Sequence, residues 1–343
     1  LYKAVKAASD FACELGINIP TGKDSLSMTQ KYGKDKVLSP GTVIISAAGE
    51  VSDIKKIVSP VLVNDKNTYI YYIDFSFDKM KLGGSAFAQA LGKIGNEAPT
   101  VKDAAYFPET FNAVQEAVDK ELILAGHDIS AGGMITTLLE MCFANVEGGM
   151  NVNRDVLAEN DIIKILFSEN PRIVVQVEEK KAVEKLMQSA EVGFACIARP
   201  TDERHIMITK EDVQYHLGID YMRDMWYKSS YLLDIHQSGN ECAGNRFENY
   251  KIQPLEYKFH KEFRGTLKSY GLTASRRKKS GIKAAVLRDK GSQCERETAY
   301  ALYLAGFDVK DVHMTDLATG RETLDDVNFI VFCGGFSNSD VLG

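Results

Sequence analysis

Eight consecutive residues carry the densest chemistry in this chain: Gly126-His127-Asp128-Ile129-Ser130-Ala131-Gly132-Gly133. A carboxylate and a hydroxyl two positions apart suit a hydrated Mg2+ and a phosphate oxygen. The glycines behind them let backbone amides approach an anion, and a helix opening there adds partial positive charge. The same residues also read as a capped helix entrance, with Asp128 or Ser130 as N-cap. A second polar cluster runs from Thr21 to Met28 and places Lys23 beside Asp24 and Ser25. Lys23 suits a phosphate, whereas Asp24 and Ser25 are equally ordinary turn residues. A third corner, Leu82-Gly83-Gly84-Ser85, precedes a helix over 86–91 and is another candidate anion site.

The Asp128 corner needs a strand before it and a helix after it. Leu122 to Ala125 is a short apolar run, and Met134, Ile135, Leu138, Leu139, Met141 and Cys142 recur at helical spacing. Phe111, Val114, Val118 and Leu122 predict a long helix that delivers the chain to the corner. Residues 43–49, 69–74, 162–167, 173–177, 194–197 and 206–208 predict strands, with a helix over 179–190. That alternation predicts an α/β or α+β sheet covered by helices. From Val213 the aromatic stripe Tyr215, Tyr221, Met225, Trp226, Tyr227 and Tyr231 predicts a helical segment packed on a neighbouring domain. The basic run Ser275 to Ser280 predicts a solvated linker. Beyond it come a strand at 283–287, a polar turn at 288–294, a helix at 295–304, a strand at 306–312 and a buried strand at 329–333. This order opens a doubly wound α/β domain, whose ligands sit at the carboxyl ends of the strands.

Composition narrows the function classes. A length of 343 residues predicts two or three units. With 45% hydrophobic and 26% charged residues the chain is globular, and a net charge of −6 argues against a protein that coats nucleic acid. The six cysteines, Cys13, Cys142, Cys196, Cys242, Cys294 and Cys333, include no CxxC pair and no His at zinc-ligand spacing, which predicts reduced thiols and a cytoplasmic protein. No apolar run approaches the roughly 18 residues of a membrane helix, and no signal pattern opens the chain. A start inside an amphipathic helix without Met predicts a piece of a longer protein.

Five separated motifs together resemble the large, single-chain phosphoribosylformylglycinamidine synthases, in their C-terminal half. They are Gly16-Ile17-Asn18-Ile19-Pro20 running into Gly22 to Met28; Gly126 to Gly133; Leu166-Phe167-Ser168-Glu169; Ala285-Val286-Leu287-Arg288 with Gly291; and Asp311-Val312-His313-Met314 followed by Cys333-Gly334-Gly335-Phe336-Ser337. The resemblance implies a fold: an aminoimidazole ribonucleotide synthetase-like C-terminal subdomain, a mixed sheet with helices, followed by the start of a doubly wound class I glutaminase domain. Residues 1–58 would be the tail of the second synthetase module's N-terminal subdomain, 59–234 its C-terminal subdomain, 235–280 a linker and 281–343 the opening of the glutaminase. It implies an ATP-dependent ligase that takes formylglycinamide ribonucleotide, ATP and glutamine. Mg2+ and ATP or ADP are its cofactors. The family's second, tightly held ADP site, a structural relic of the duplication, would place Asp128 as a Mg2+ ligand and Ser130 on the nucleotide. Gly132, Gly133, Lys23, Asp24 and Ser25 would add binding contacts. Ala131 stands where the family often has Asp. In the glutaminase, Gly334 and Gly335 are oxyanion-hole candidates, while the nucleophile lies beyond Gly343 and neither Cys294 nor Cys333 fills that role. A first synthetase module and the rest of the glutaminase would complete the protein, with no nucleic acid or membrane partner. Two other readings use the same corner: a stand-alone ATP-binding enzyme of the same superfold (selenophosphate synthetase-like or a small-molecule kinase), or a non-enzymatic interaction module.

Overall fold

The computed structural model describes residues 2–20, 22, 29–39, 41–51, 53, 56–210, 213–251, 260–262, 264, 266–276 and 278–335. They fall into two units, Leu1–Ile252 and Gln253–Gly343. The first contains α1 (Tyr2–Leu15), the hairpin β1 (Thr29–Tyr32) and β2 (Asp35–Leu38), β3 (Tyr69–Asp74), α2 (Ala86–Ala90), α3 (Tyr106–Asp119), β4 (Ile123–Ile129) and α4 (Gly133–Phe143). It continues with β5 (Gly149–Asn153), α5 (Ile162–Phe167), β6 (Arg172–Val177), α6 (Lys180–Ser189), β7 (Phe194–Thr201), β8 (His205–Lys210), β9 (Val213–Gly218) and α7 (Ile219–Asn249).

Alternation along β3 explains the layers. Successive side chains of a strand point to opposite faces. Ile70 and Tyr72 join Met134, Leu138 and Met141 of α4 in one core. Tyr71 and Ile73 join Val114 and Ala117 of α3 and Val183 and Met187 of α6 in another. Each fully buried aliphatic side chain contributes roughly 1.5–3 kcal/mol, so both faces of the sheet are held by helices. The strands run in the order β4-β6-β3-β7-β5-β8-β9. All neighbours are antiparallel except β5 and β8, which are parallel, so the sheet is mixed. β4 is an edge strand, and the corner begins where it ends.

Several local expectations are corrected. Residues 162–167 form α5 instead of a strand: Asp161 caps them by accepting from the Ile163 amide at 2.9 Å. Ile162, Ile165 and Leu166 then turn to the core at helical spacing. Residues 43–49 form no strand, and Ile44 is 85% exposed; an extended run needs a neighbouring strand for its backbone, and none pairs with it among the described residues. Residues 213–218 are β9, so the helical segment starts only at Ile219. That helix breaks at Gly239 (φ 80, ψ 165) and folds back, stacking Tyr227 on Tyr250 at 3.9 Å and Tyr231 on Phe247 at 4.8 Å. Part of the aromatic stripe therefore packs within its own helical hairpin.

In the second unit β10 (Lys283–Arg288) is central, between β11 (Asp308–His313) and β12 (Phe329–Phe332), and all pairs are parallel. α8 (Glu295–Leu304) connects β10 to β11, and α9 (Met314–Ala318) follows. Two readings change here as well. β12, expected to be buried, is an edge strand with Phe329, Ile330 and Phe332 exposed among the described residues. The basic run is not wholly solvated either. Arg276 lies over the Tyr303 ring at 4.7 Å, pairs with Asp308 at 3.1 Å and donates to the Phe307 carbonyl. A carbonyl-rich helix end is a natural seat for a guanidinium.

Candidate functional site

β4 runs through the first half of the eight-residue motif and stops at Ile129, leaving Ser130 and Ala131 exposed at the turn. Gly132 is the N-cap of α4, with φ +92 and no side-chain cap. Neither Asp128 nor Ser130 caps the helix, so the simple capped-entrance reading fails. Gly133 follows at φ +74, a region L side chains rarely enter. A Cβ there would meet the Leu166 carbonyl oxygen at 2.5 Å and the Phe167 Cα at 2.6 Å. Two of the sequence motifs are thus in backbone contact.

The Asp128 side chain is 68% exposed. Its Oδ1 lies 3.2 Å from His127 Nδ1, and His127 Nε2 lies 3.3 Å from Glu140 Oε2 on α4. His127, 19% exposed, therefore stands between two carboxylates. The Thr137 hydroxyl donates to the Asp128 carbonyl at 2.8 Å, fastening the strand exit to the second turn of α4. On the α3 face, Val58, Pro60, Val114, Val118, Ile123, Ile173 and Val175 line an open groove of ≈ 400 Å³ together with Gly126, His127 and Asp128.

The amides expected to face an anion are already engaged. Gly132 N–H donates to Glu169 Oε1 at 2.9 Å, and Gly133 N–H donates to the Ser130 carbonyl at 3.0 Å. At the other corner Gly83 N–H donates to the Glu97 carbonyl and Gly84 N–H to the Ile94 carbonyl. Ser85 caps α2 by accepting from the Ala88 amide at 3.2 Å, and the Ala86 amide donates to Glu169 Oε1 at 2.7 Å. One carboxylate thus serves both corners, and the anion at these helix mouths is the chain's own. Glu169, His127 and Glu140 were not singled out as site residues from the sequence. Glu169 lies inside the Leu166–Glu169 motif, while Glu140 sits two helical turns beyond Gly133.

A metal fits this corner in one way. Among the described residues no group of three or more His, Cys, Asp or Glu side chains is arranged to hold one. A lone exposed carboxylate suits a Mg2+ that keeps its waters and takes its other ligands from phosphate, not a protein cage. Lys23, Asp24 and Ser25 lie outside the described residues.

In the second unit Gly335 has φ +136 and no room for a side chain, since a Cβ would meet the Gly291 carbonyl oxygen at 2.5 Å. The Gly334 carbonyl accepts from Gln293 N–H at 2.8 Å, and Ser292 bridges Gly335. These glycines close on the turn after β10. Cys294 is the left-handed N-cap of α8 (φ 63), and burial raises the Cys333 thiol above its ordinary range.

Three protein-family models match in order along the chain. They are the FGAR-AT PurM_N-like domain over residues 1–50, the AIR synthase related protein C-terminal domain over 76–210 and the CobB/CobQ-like glutamine amidotransferase domain over 281–343. A probable phosphoribosylformylglycinamidine synthase, chloroplastic/mitochondrial, from Arabidopsis thaliana is 37% identical over 349 residues, covering 100% of this chain. The chain spans 24% of that relative's length. Among solved structures, Thermotoga maritima PurL complexed with FGAR matches 50% of this chain and 30% of its own at 17% identity, with a TM-score of 0.41. The same protein complexed with ATP matches 50% and 28% at 15% identity, with a TM-score of 0.40. Among the described residues no helix is long and apolar enough to cross a membrane. Similarity therefore runs along the whole chain, with the matched domains in order, to part of a phosphoribosylformylglycinamidine synthase.

Proposed function

We propose that the chain is part of a cytoplasmic ATP-dependent carbon–nitrogen ligase with glutamine as amido donor. The reaction converts formylglycinamide ribonucleotide, ATP and glutamine to formylglycinamidine ribonucleotide, ADP, phosphate and glutamate. The observation that carries this reading is the 37% identity over the whole chain to a phosphoribosylformylglycinamidine synthase. In the chemistry, the amide oxygen of the substrate attacks the γ-phosphoryl group of ATP, which turns that oxygen into a phosphate leaving group. Ammonia from glutamine then adds to the carbon, phosphate departs and the amidine remains.

Within this reading residues 59–234 form the synthetase-like subdomain, with 1–58 the tail of the subdomain before it. Residues 235–280 connect it to a glutaminase that opens at 281. The β4–α4 corner holds a nucleotide instead of turning it over. Asp128 is the carboxylate that attaches the metal, and Ser130 contacts a phosphate oxygen from the exposed turn. Gly132 and Gly133 shape that turn, because their amides are spent within the protein. Lys23, Asp24 and Ser25 contribute further contacts. Mg2+, when bound, supplies charge neutralisation at the phosphate oxygens. In the glutaminase the sharp Gly334-Gly335 turn contributes backbone donors to an oxyanion hole.

Calorimetric titration with Mg-ADP tests the nucleotide reading. The chain is expected to bind, and Asp128→Ala to weaken binding by about tenfold, the loss of one charge-assisted contact. A chain that gives no heat with Mg-ADP, or an Asp128→Ala variant that binds as the parent does, rejects the corner as a nucleotide site.

A further inference from the structure

Between α5 and β6 three consecutive polar residues are each committed to a different element. Ser168 is buried, and its Oγ accepts from Arg172 Nη1 at 3.1 Å. Asn170 is buried, accepting from the Lys81 amide at 3.1 Å through Oδ1 and donating to the Lys79 carbonyl at 3.1 Å through Nδ2. Between them Glu169 is held by its neighbours on both sides. Its Oε1 accepts from Ala86 N–H, the first residue of α2, and from Gly132 N–H, the N-cap of α4.

Helix entrances leave backbone amides without intrahelical partners, and a carboxylate is the favoured acceptor there. α4 has no side-chain cap and no acid in its first turn, so Glu169 supplies from far along the chain what the local sequence omits. Phe87 stacks on Phe167 at 4.6 Å beside the same junction, and Gly133 lies against the backbone of Leu166 and Phe167. The two corners and the Leu166–Glu169 motif are one packed junction.

We propose that Glu169 is the positioning residue of the nucleotide corner. It does not touch the ligand. Its carboxylate ties the α2 and α4 entrances together, and so sets where the strand exit at Asp128 and Ser130 stands relative to the Leu82–Ser85 corner. This inference rests on the nucleotide reading for its functional consequence, and on geometry alone for the tie itself.

The experiment uses the full chain with Glu169→Ala and Glu169→Gln, reading backbone amide exchange around Ala86 and Gly132 together with Mg-ADP affinity. Glu169→Ala is expected to speed exchange at both amides by about tenfold or more, and to weaken Mg-ADP by about tenfold. Glu169→Gln keeps an acceptor oxygen without the charge, and is expected to restore both readouts to within about threefold of the parent. Should Glu169→Ala fail to fold, Glu169→Asp, one methylene shorter, is expected to lose protection at one of the two amides. Unchanged exchange at both amides in Glu169→Ala overturns the tie. Parent-like Mg-ADP affinity in a Glu169→Ala variant that has lost amide protection overturns the positioning role. A parent chain that binds no Mg-ADP rejects the nucleotide reading instead, and the exchange readout still decides whether Glu169 joins the corners.

Discussion

The corner after β4 and the corner after β10 share a pattern, in which a strand, a few polar residues and a residue at positive φ lead into a helix. Their supports differ. After β10 the helix entrance carries its own stitches, with Ser292 Oγ accepting from the Asp289 amide and donating to the Asp289 carbonyl and with Glu295 and Glu297 in the first turn of α8, while the remote Gly334 carbonyl adds one contact at Gln293. After β4 the helix has no local acid, and its entrance is satisfied by Glu169 from another motif. A corner supported from nearby tolerates change in the rest of the fold, whereas one supported from a distance is only as good as the packing that delivers its partner.

Substitution of the glycines puts the largest strain on this contrast. Gly133→Ala forces a Cβ into the Leu166–Phe167 backbone at a residue already at φ +74, and backbone cannot rotate away as a side chain tip can. The expected loss is about 3 kcal/mol or more in denaturant unfolding of the first unit. Gly335→Ala meets the Gly291 carbonyl at a similar distance, but at an exposed residue, and should cost about 2 kcal/mol. Equal losses at the two sites would mean that burial of the glycine does not set the cost.

Asp128→Asn sharpens it from the other side. The carboxylate is mostly exposed, so stability should move by less than about 0.5 kcal/mol. Mg-ADP affinity is nonetheless expected to fall by about tenfold, because an amide offers a metal no charge. A large change in unfolding with intact affinity would make Asp128 a structural residue.

The same contrast governs what could be read from the amino acids. β3, α3, α4 and the order of elements from β10 to β12 were legible because their periodicity or flanking breakers are local. Residues 162–167 were not, since six apolar-rich residues fit strand or helix until the Asp161 cap decides. Nor were residues 43–49, whose apolar run finds no strand beside it among the described residues. At the site, the glycines and Asp128 stood out by type, and Leu166–Glu169 stood out as a motif. That the Glu169 oxygen would take both amides depends on how β6 is placed in the sheet, which no short window encodes.

Acid titration gives the subtlest test. Beside the Leu82–Ser85 corner, Asp78 is bonded by Lys81 Nζ, Thr100 Oγ1 and the Lys79 amide, which pull its carboxyl down to about 2, Lys81 most strongly. In the second unit Asp308 is also lowered, chiefly by the Ser280 and Gly281 amides. A carboxyl depressed by folding adds stability above its unfolded value of about 3.9, and that contribution disappears as pH falls through the folded value. The stability gap between the parent and Asp78→Asn should therefore be constant near neutrality and close between about pH 4 and pH 2. Salt separates the two carboxylates, because the lysine charge that leads at Asp78 is screened, whereas the backbone dipoles that lead at Asp308, ahead of the Arg276 charge, are affected less. Raising ionic strength should shrink the Asp78 contribution more than that of Asp308, measured as the same Asp→Asn gap in each unit. Identical salt responses would mean that a lysine charge and a pair of backbone amides hold their carboxylates in the same way.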